Sequence, residues 1–232
     1  MGGDPAGKLV DVIFRKRLKA TFVSLVTGFN LVFGAVAIVL SSLGYGRWAV
    51  LCLILAMILD AMDGYLARKW GVFSDFGAEL DSLADLTSFV VANSVLIFFW
   101  FFGQTNLWLQ VLAAIVFLLG GAFRLARFNV APTTGGIFQG MPTTGVAIMI
   151  AFVYLSHPTL DPVWGLFWQV TLGFLMVSNL RYPKLGELQK LPKVIFPAFL
   201  LLAYFSFAWA TAVACISYVL SGPVLTLQTG AD

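Results

Sequence analysis

The chain has 232 residues, of which 60% are hydrophobic and only 11% charged. A soluble domain carries roughly 25% charged residues, so this chain cannot coat a water-exposed surface, and the bilayer is its natural solvent. The net charge of +3 is small; no nucleic-acid partner is expected, and the placement of charge matters more than its sum.

In chain order, Met1 to Gly7 reads as a tag remnant or disordered start, not a signal peptide. Residues 1–19 form a cytoplasmic juxtamembrane segment. Val10, Ile13 and Phe14 mixed with Arg15, Lys16, Arg17 and Lys19 suggest a short amphipathic helix. Ala20 to Gly46 carries no charge and is long enough to span. Arg47 to Arg68 is a second span, apolar to Leu59 and acidic beyond. Leu86 to Phe123 is too long for one crossing, and Gly103-Gln104-Thr105-Asn106 divides it into two. Pro132, Gly135, Gly136, Gly140 and Pro142 mark a loop before a fifth helix from about Thr144 to His157. Pro162 to Leu180 makes a sixth. Residues 183–232 add one or two C-terminal helices. The expected fold is all-α and polytopic, with a six-helix transmembrane core over residues 20–182. Cys52 and Cys215 sit in apolar runs and read as packing residues. His157, beside Pro158, reads as a helix-end residue without chemistry.

Basic residues accumulate on the cytoplasmic side of a membrane protein. Lys8 to Lys19, Arg68 with Lys69, Arg124 with Arg127, and Arg181 to Lys193 hold 13 of the 14 basic residues. An even number of helices separates these groups, so one face carries all of them. The N-terminus is therefore expected inside.

Six of the 11 acidic residues lie between Asp60 and Asp85. An Asp at a helix centre costs roughly 2.5–3.5 kcal/mol to insert, so the group needs compensation. Asp60 and Asp63 are three apart and share a helix face; Asp81 and Asp85 are four apart and share another. A short link brings the two pairs to one membrane face. Arg68 and Lys69 do not neutralise four charges, whereas hard divalent cations on carboxylate oxygens do. Two such metals suit phosphoryl transfer. Solvated acids in a loop and an ion-transport path are the other readings, and clustering at one face speaks against the second.

Asp60-Ala61-Met62-Asp63-Gly64-Tyr65-Leu66-Ala67-Arg68, followed by Gly77, Asp81 and Asp85, resembles the complete signature of the CDP-alcohol phosphotransferase family. The resemblance implies a homodimeric inner-membrane or cell-membrane enzyme with six core helices. Its site would face the cytoplasm, moving a phosphatidyl group from a CDP-linked lipid to an alcohol and releasing CMP. It implies that Asp60, Asp63, Asp81 and Asp85 bind two Mg2+ or Mn2+ ions and that Asp85 is the general base. By the same likeness Asp60, Asp63, Gly64, Ala67, Arg68, Gly77 and Asp81 line the CDP site. Small residues let a nucleotide approach the backbone, and an arginine suits its phosphates.

Further stretches are similar to the bacterial and archaeal phosphatidylserine synthase branch of that family. They are Thr27-Gly28-Phe29-Asn30, Leu80 to Phe89, Gly121 to Asn129 and Phe138 to Pro142. Asn30 joins the CDP-site candidates on that ground. Val90-Val91-Ala92-Asn93 stands where the branch commonly has Gly-Val-Ala-Pro. The branch implies CDP-diacylglycerol and L-serine as substrates. A serine carboxylate is well met by a guanidinium, and Arg124 and Arg127, three apart, can offer one. Asn129 and Arg181 are the other acceptor-side candidates; Lys184, Lys190 and Lys193 read as topology markers. Acceptors such as glycerol 3-phosphate, inositol phosphate or inositol remain open, because phosphorylated alcohols also want arginines. A transporter and an inactive lipid- or nucleotide-binding protein are the readings of another class.

Overall fold

The structure, a computed structural model, describes residues 5–130, 137–157, 159–183, 213, 216–224 and 226. Its helices are α1 (Pro5–Ser42), α2 (Gly46–Trp70), α3 (Asp75–Asp85), α4 (Ala92–Trp100), α5 (Leu107–Val130), α6 (Thr143–Ser156) and α7 (Pro162–Val177). A π-helical segment, Leu86–Val91, joins α3 to α4, so that Asp75–Trp100 runs as one helix of 26 residues. The chain is thus a helical membrane protein.

Among the described residues, four helices are long and apolar enough to cross a membrane, ending at Ser42, Trp70, Trp100 and Val130. At 1.5 Å per residue α6 and α7 reach only roughly 21 and 24 Å, less than the hydrocarbon thickness of about 30 Å. Their apolar sequences and buried faces still place them in the core.

Three boundaries differ from expectation. The amphipathic start is not a separate helix: α1 continues through it, and Arg15 pairs with Asp11 at 3.1 Å. The expected fourth span, which is α5, persists to Val130, past the end of the uncharged run at Phe123. The expected sixth, which is α7, stops at Val177, because the following residues turn into an extended strand. That strand, β2 (Arg181–Pro183), pairs antiparallel with β1 (Ile137–Gln139), placing Gln139 opposite Arg181. The fold is therefore helical with one two-stranded ribbon. Of the expected C-terminal extension, residues 216–224 are helical. Apart from Pro183, Val213 and Thr226, its remainder, with Lys184, Lys190, Lys193 and Cys215, lies outside the described residues, as do Pro132, Gly135 and Gly136.

The turns explain the antiparallel order. Gly44 closes α1 at φ +80°, with Tyr45 N–H on Leu40 C=O at 2.8 Å and Gly44 N–H on Ser41 C=O at 3.1 Å. Gly71 ends α2 in the same way, with Val72 N–H on Ala67 C=O at 3.1 Å. A left-handed residue costs glycine least, which is why each stop falls there. Ser74 then caps α3 by accepting from Gly77 N–H at 3.0 Å. Only four residues separate α2 from α3, so the two acidic helix ends stay side by side.

Leu53, Val90, Leu96, Phe117, Leu172 and Tyr182 fill the centre. Leu25, Val32, Leu55, Ile58, Leu112 and Leu119 face outward, as a lipid-facing surface requires. Glycines let backbones meet. A side chain at Gly120 would strike Gly173 of α7, one at Gly34 would strike Ser88, and one at Gly121 would strike Val90. The last two clasp the π segment between α1 and α5.

Candidate active site

Asp60 and Asp63 lie near the end of α2; Asp81 and Asp85 lie one turn apart on α3. Asp60, Asp63 and Asp81 each present an oxygen within 4.8 Å of the others. Asp85, one turn after Asp81, joins the group: it lies within electrostatic reach of Asp60, Asp81 and Asp63, and also of Arg124. Thr27 of α1 donates to Asp63 Oδ2 at 2.6 Å, in a buried contact that fixes this carboxylate.

The cluster fits a divalent cation. Asp81 Oδ1 and Asp85 Oδ1 are enclosed and accept no hydrogen bond among the described residues. Buried carboxylate oxygens without donors are costly, and a hard cation satisfies such a donor set.

Around it stand the residues expected at a nucleotide site. Gly64 is half-buried, and the Arg68 guanidinium lies over it, with Nη1 at 3.3 Å from where a Cβ would stand. Gly77 sits in the first turn of α3, its N–H spent on the Ser74 cap. Ala67, one turn beyond Asp63, is also half-buried. Asn30 is fully buried, and neither its Oδ1 nor its Nδ2 has a partner among the described residues. Its backbone C=O accepts from Ser88 Oγ at 3.0 Å, which ties α1 to the π segment.

The acceptor-side candidates separate. Arg124 is buried, at 7% exposure, and donates to Thr143 Oγ1 at 3.1 Å. One turn later, the Arg127 guanidinium donates to Gln139 C=O at 2.7 Å, Val177 C=O at 3.1 Å and Ser178 C=O at 3.2 Å. It also reaches Asn179 Oδ1 at 3.3 Å. Arg127 thus satisfies carbonyls left over at the end of α7 and fastens them to β1. Asn129 accepts from Ser82 Oγ at 2.9 Å, linking the end of α5 to α3. Arg181 is exposed on β2, and its N–H donates to Thr226 Oγ1 at 2.9 Å.

Sequence reading named Thr27 only within a resembling stretch and gave it no role, and it missed Thr143 and the π segment. Thr27 carried a signal, because it sits one turn before Asn30 on the same face of α1. Thr143 carried none, since its partner is 19 positions away. Asn93 registered only as a departure from the branch pattern. Its Nδ2 donates to Phe89 C=O at 3.1 Å and Ser88 C=O at 3.4 Å, inside the π segment.

A helical membrane fold with four carboxylates from two adjacent helices, a signature of fixed spacing and a buried arginine beside them defines a lipid phosphotransferase. The sequence pattern of the CDP-alcohol phosphatidyltransferase family matches residues 20–180, and the chain belongs to that family. It is accordingly a transferase of phospholipid synthesis. It is 36% identical over 211 residues to the CDP-diacylglycerol–serine O-phosphatidyltransferase of Methanocaldococcus jannaschii, covering 90% of this chain and 96% of that one. The enzyme of the same name from Helicobacter pylori is 33% identical, over 72% of this chain and 74% of its own. The archaetidylserine synthase of Methanothermobacter thermautotrophicus is 33% identical, over 65% of this chain and 64% of its own.

Proposed function

We propose that this chain transfers the phosphatidyl group of CDP-diacylglycerol to the hydroxyl of L-serine, giving phosphatidylserine and CMP. The carrying observation is the carboxylate cluster, in which Asp60, Asp63 and Asp81 each bring an oxygen within 4.8 Å of the others, with the buried Arg124 within electrostatic reach of Asp85. The printed names of the relatives support serine as the acceptor.

Asp60, Asp63, Asp81 and Asp85 would hold two Mg2+ or Mn2+ ions, which would supply positive charge to the pyrophosphate of the donor. Gly64, Ala67, Gly77 and Asn30 shape the cytidine side, and Arg68 pairs with a donor phosphate. Arg124 pairs with the serine carboxylate and turns the hydroxyl towards Asp85. Asp85 takes the hydroxyl proton. The serine oxygen then bonds to the lipid-bearing phosphorus, the bond from that phosphorus to the CMP oxygen breaks, and CMP leaves with the electron pair. Arg127, Asn129 and Arg181 serve this side of the site through the contacts that hold α5, α3 and β2 in place.

The core makes six crossings with the short α6 and α7 included, in a homodimer. The distribution of the basic residues supports a site at the cytoplasmic face.

An acceptor panel tests the reading. Purified protein in detergent, CDP-diacylglycerol and Mg2+ or Mn2+ are mixed with serine, glycerol 3-phosphate, inositol phosphate or inositol, and CMP release is followed. Metal-dependent release with serine alone is expected. Release only with a phosphorylated alcohol would refute the serine assignment while keeping the transferase chemistry.

A further inference from the structure

The segment beyond the family-matched residues 20–180 reaches back to the acceptor side. Residues 216–224 form a helix whose Gly222 packs on the Tyr182 ring so closely that a side chain there would clash. Thr226, just past it, accepts from Arg181 N–H at 2.9 Å. These contacts set the helix over β2. They place Tyr218 against Gly145, two residues beyond Thr143, with the ring Cε1 at 3.3 Å from where a Cβ of Gly145 would stand. The Tyr218 and Tyr182 rings pack with centroids 5.8 Å apart, so the side chain is held from two directions.

The tip of Tyr218 is the unexplained part. Its hydroxyl is enclosed and has no hydrogen-bond partner among the described residues. It stands 3.5 Å from where a Cβ of Gly145 would be, two residues from Thr143, whose Oγ1 accepts from Arg124 at 3.1 Å, and the phenol and that guanidinium are within electrostatic reach of each other. An enclosed hydroxyl without a partner loses its water hydrogen bonds and gains nothing in return. A ligand that brings an acceptor atom to Arg124 relieves that loss. Its anionic end would meet the guanidinium and the phenol together.

We infer that Tyr218 is a specificity-determining residue of the acceptor site, its hydroxyl donating to the carboxylate that Arg124 pairs with. This rests on the proposed amino-acid acceptor, because an acceptor without a carboxylate gives the phenol nothing to hold. Gly145 leaves room for the ring, and a side chain there would push it away.

The test compares Tyr218→Phe with the wild type in CMP release from CDP-diacylglycerol, using L-serine and serinamide as acceptors. A hydrogen bond to a charged group is at stake, so the serine KM should rise about tenfold. The kcat, the KM for the CDP-lipid and the melting temperature in detergent should hold. The wild-type preference for serine over serinamide should shrink by the same factor. An unchanged serine KM overturns the inference, and so does an equal loss with both acceptors accompanied by a lower melting temperature. A wild type that releases no CMP with serine overturns the acceptor assignment and this inference with it. A wild type active on serine beside an indifferent variant overturns the inference alone.

Discussion

The carboxylate side and the arginine side of the site are built differently. All four aspartates come from one stretch of 26 residues, carried by two helices and a four-residue link. The arginine side draws Arg124 from α5, Thr143 from α6 and Tyr218 from the helix at 216–224. Local helical spacing decides the first, because residues three or four apart share a face wherever the helix goes. Only tertiary packing decides the second. One side should therefore tolerate distant changes, and the other should feel them.

The largest effect tests the carboxylate side. Asp85→Asn keeps the shape and removes the proposed proton acceptor, and kcat should fall about a thousandfold. CDP-lipid binding, measured by equilibrium titration, should stay. A variant that retains wild-type kcat would show that another group takes the proton.

The next contrasts the two arginines. Arg124→Lys loses the planar fork that meets a carboxylate, and kcat/KM for serine should drop about a hundredfold. Arg127→Gln should instead lower the melting temperature, because the carbonyls of Gln139, Val177 and Ser178 lose a shared donor, while the serine KM holds. If Arg127→Gln raised the serine KM as much as Arg124→Lys, the two would act as one pocket after all.

A smaller effect sits behind the cluster. Thr27→Val keeps the volume and removes the 2.6 Å bond to Asp63 Oδ2. Partners of metal-binding carboxylates orient them, so half-maximal activity should need about tenfold more Mg2+ or Mn2+. An unchanged metal titration would make Thr27 a packing residue only.

The same contrast explains what the sequence made legible. The helix break at Gly103-Gln104-Thr105-Asn106 was visible, and the chain turns there between Trp100 and Leu107. The paired aspartates were visible by counting. The end of α7 was not, because an uncharged run through Leu180 looks helical, while pairing with a strand over 40 positions earlier pulls Arg181–Pro183 straight. The separate tasks of Arg124 and Arg127 were equally hidden. Spacing puts them on one face, but only the position of α7 decides that the second meets backbone carbonyls.

Asn93 lies on the boundary between the two sides and should give the smallest effect. Its amide donates to the carbonyls of Ser88 and Phe89 within the π segment that follows Asp85. The extra residue of a π turn shifts the angular register of everything beyond it, so the segment sets how α3 and α4 face their neighbours. It is held in three other ways: Gly34 and Gly121 bring α1 and α5 against it, and Ser88 Oγ donates to Asn30 C=O at 3.0 Å. Removing one of four supports should leave the others in place. Asn93→Ala is expected to cost about 1 kcal/mol of stability, read from the detergent melting curve. The kcat with serine should stay close to wild type, because the three remaining supports keep the π turn, and with it the orientation of α3 that carries Asp81 and Asp85, in place. A fall in kcat as deep as that of Arg124→Lys would reverse this ranking. The carboxylate side would then owe its geometry to the same long-range packing as the arginine side.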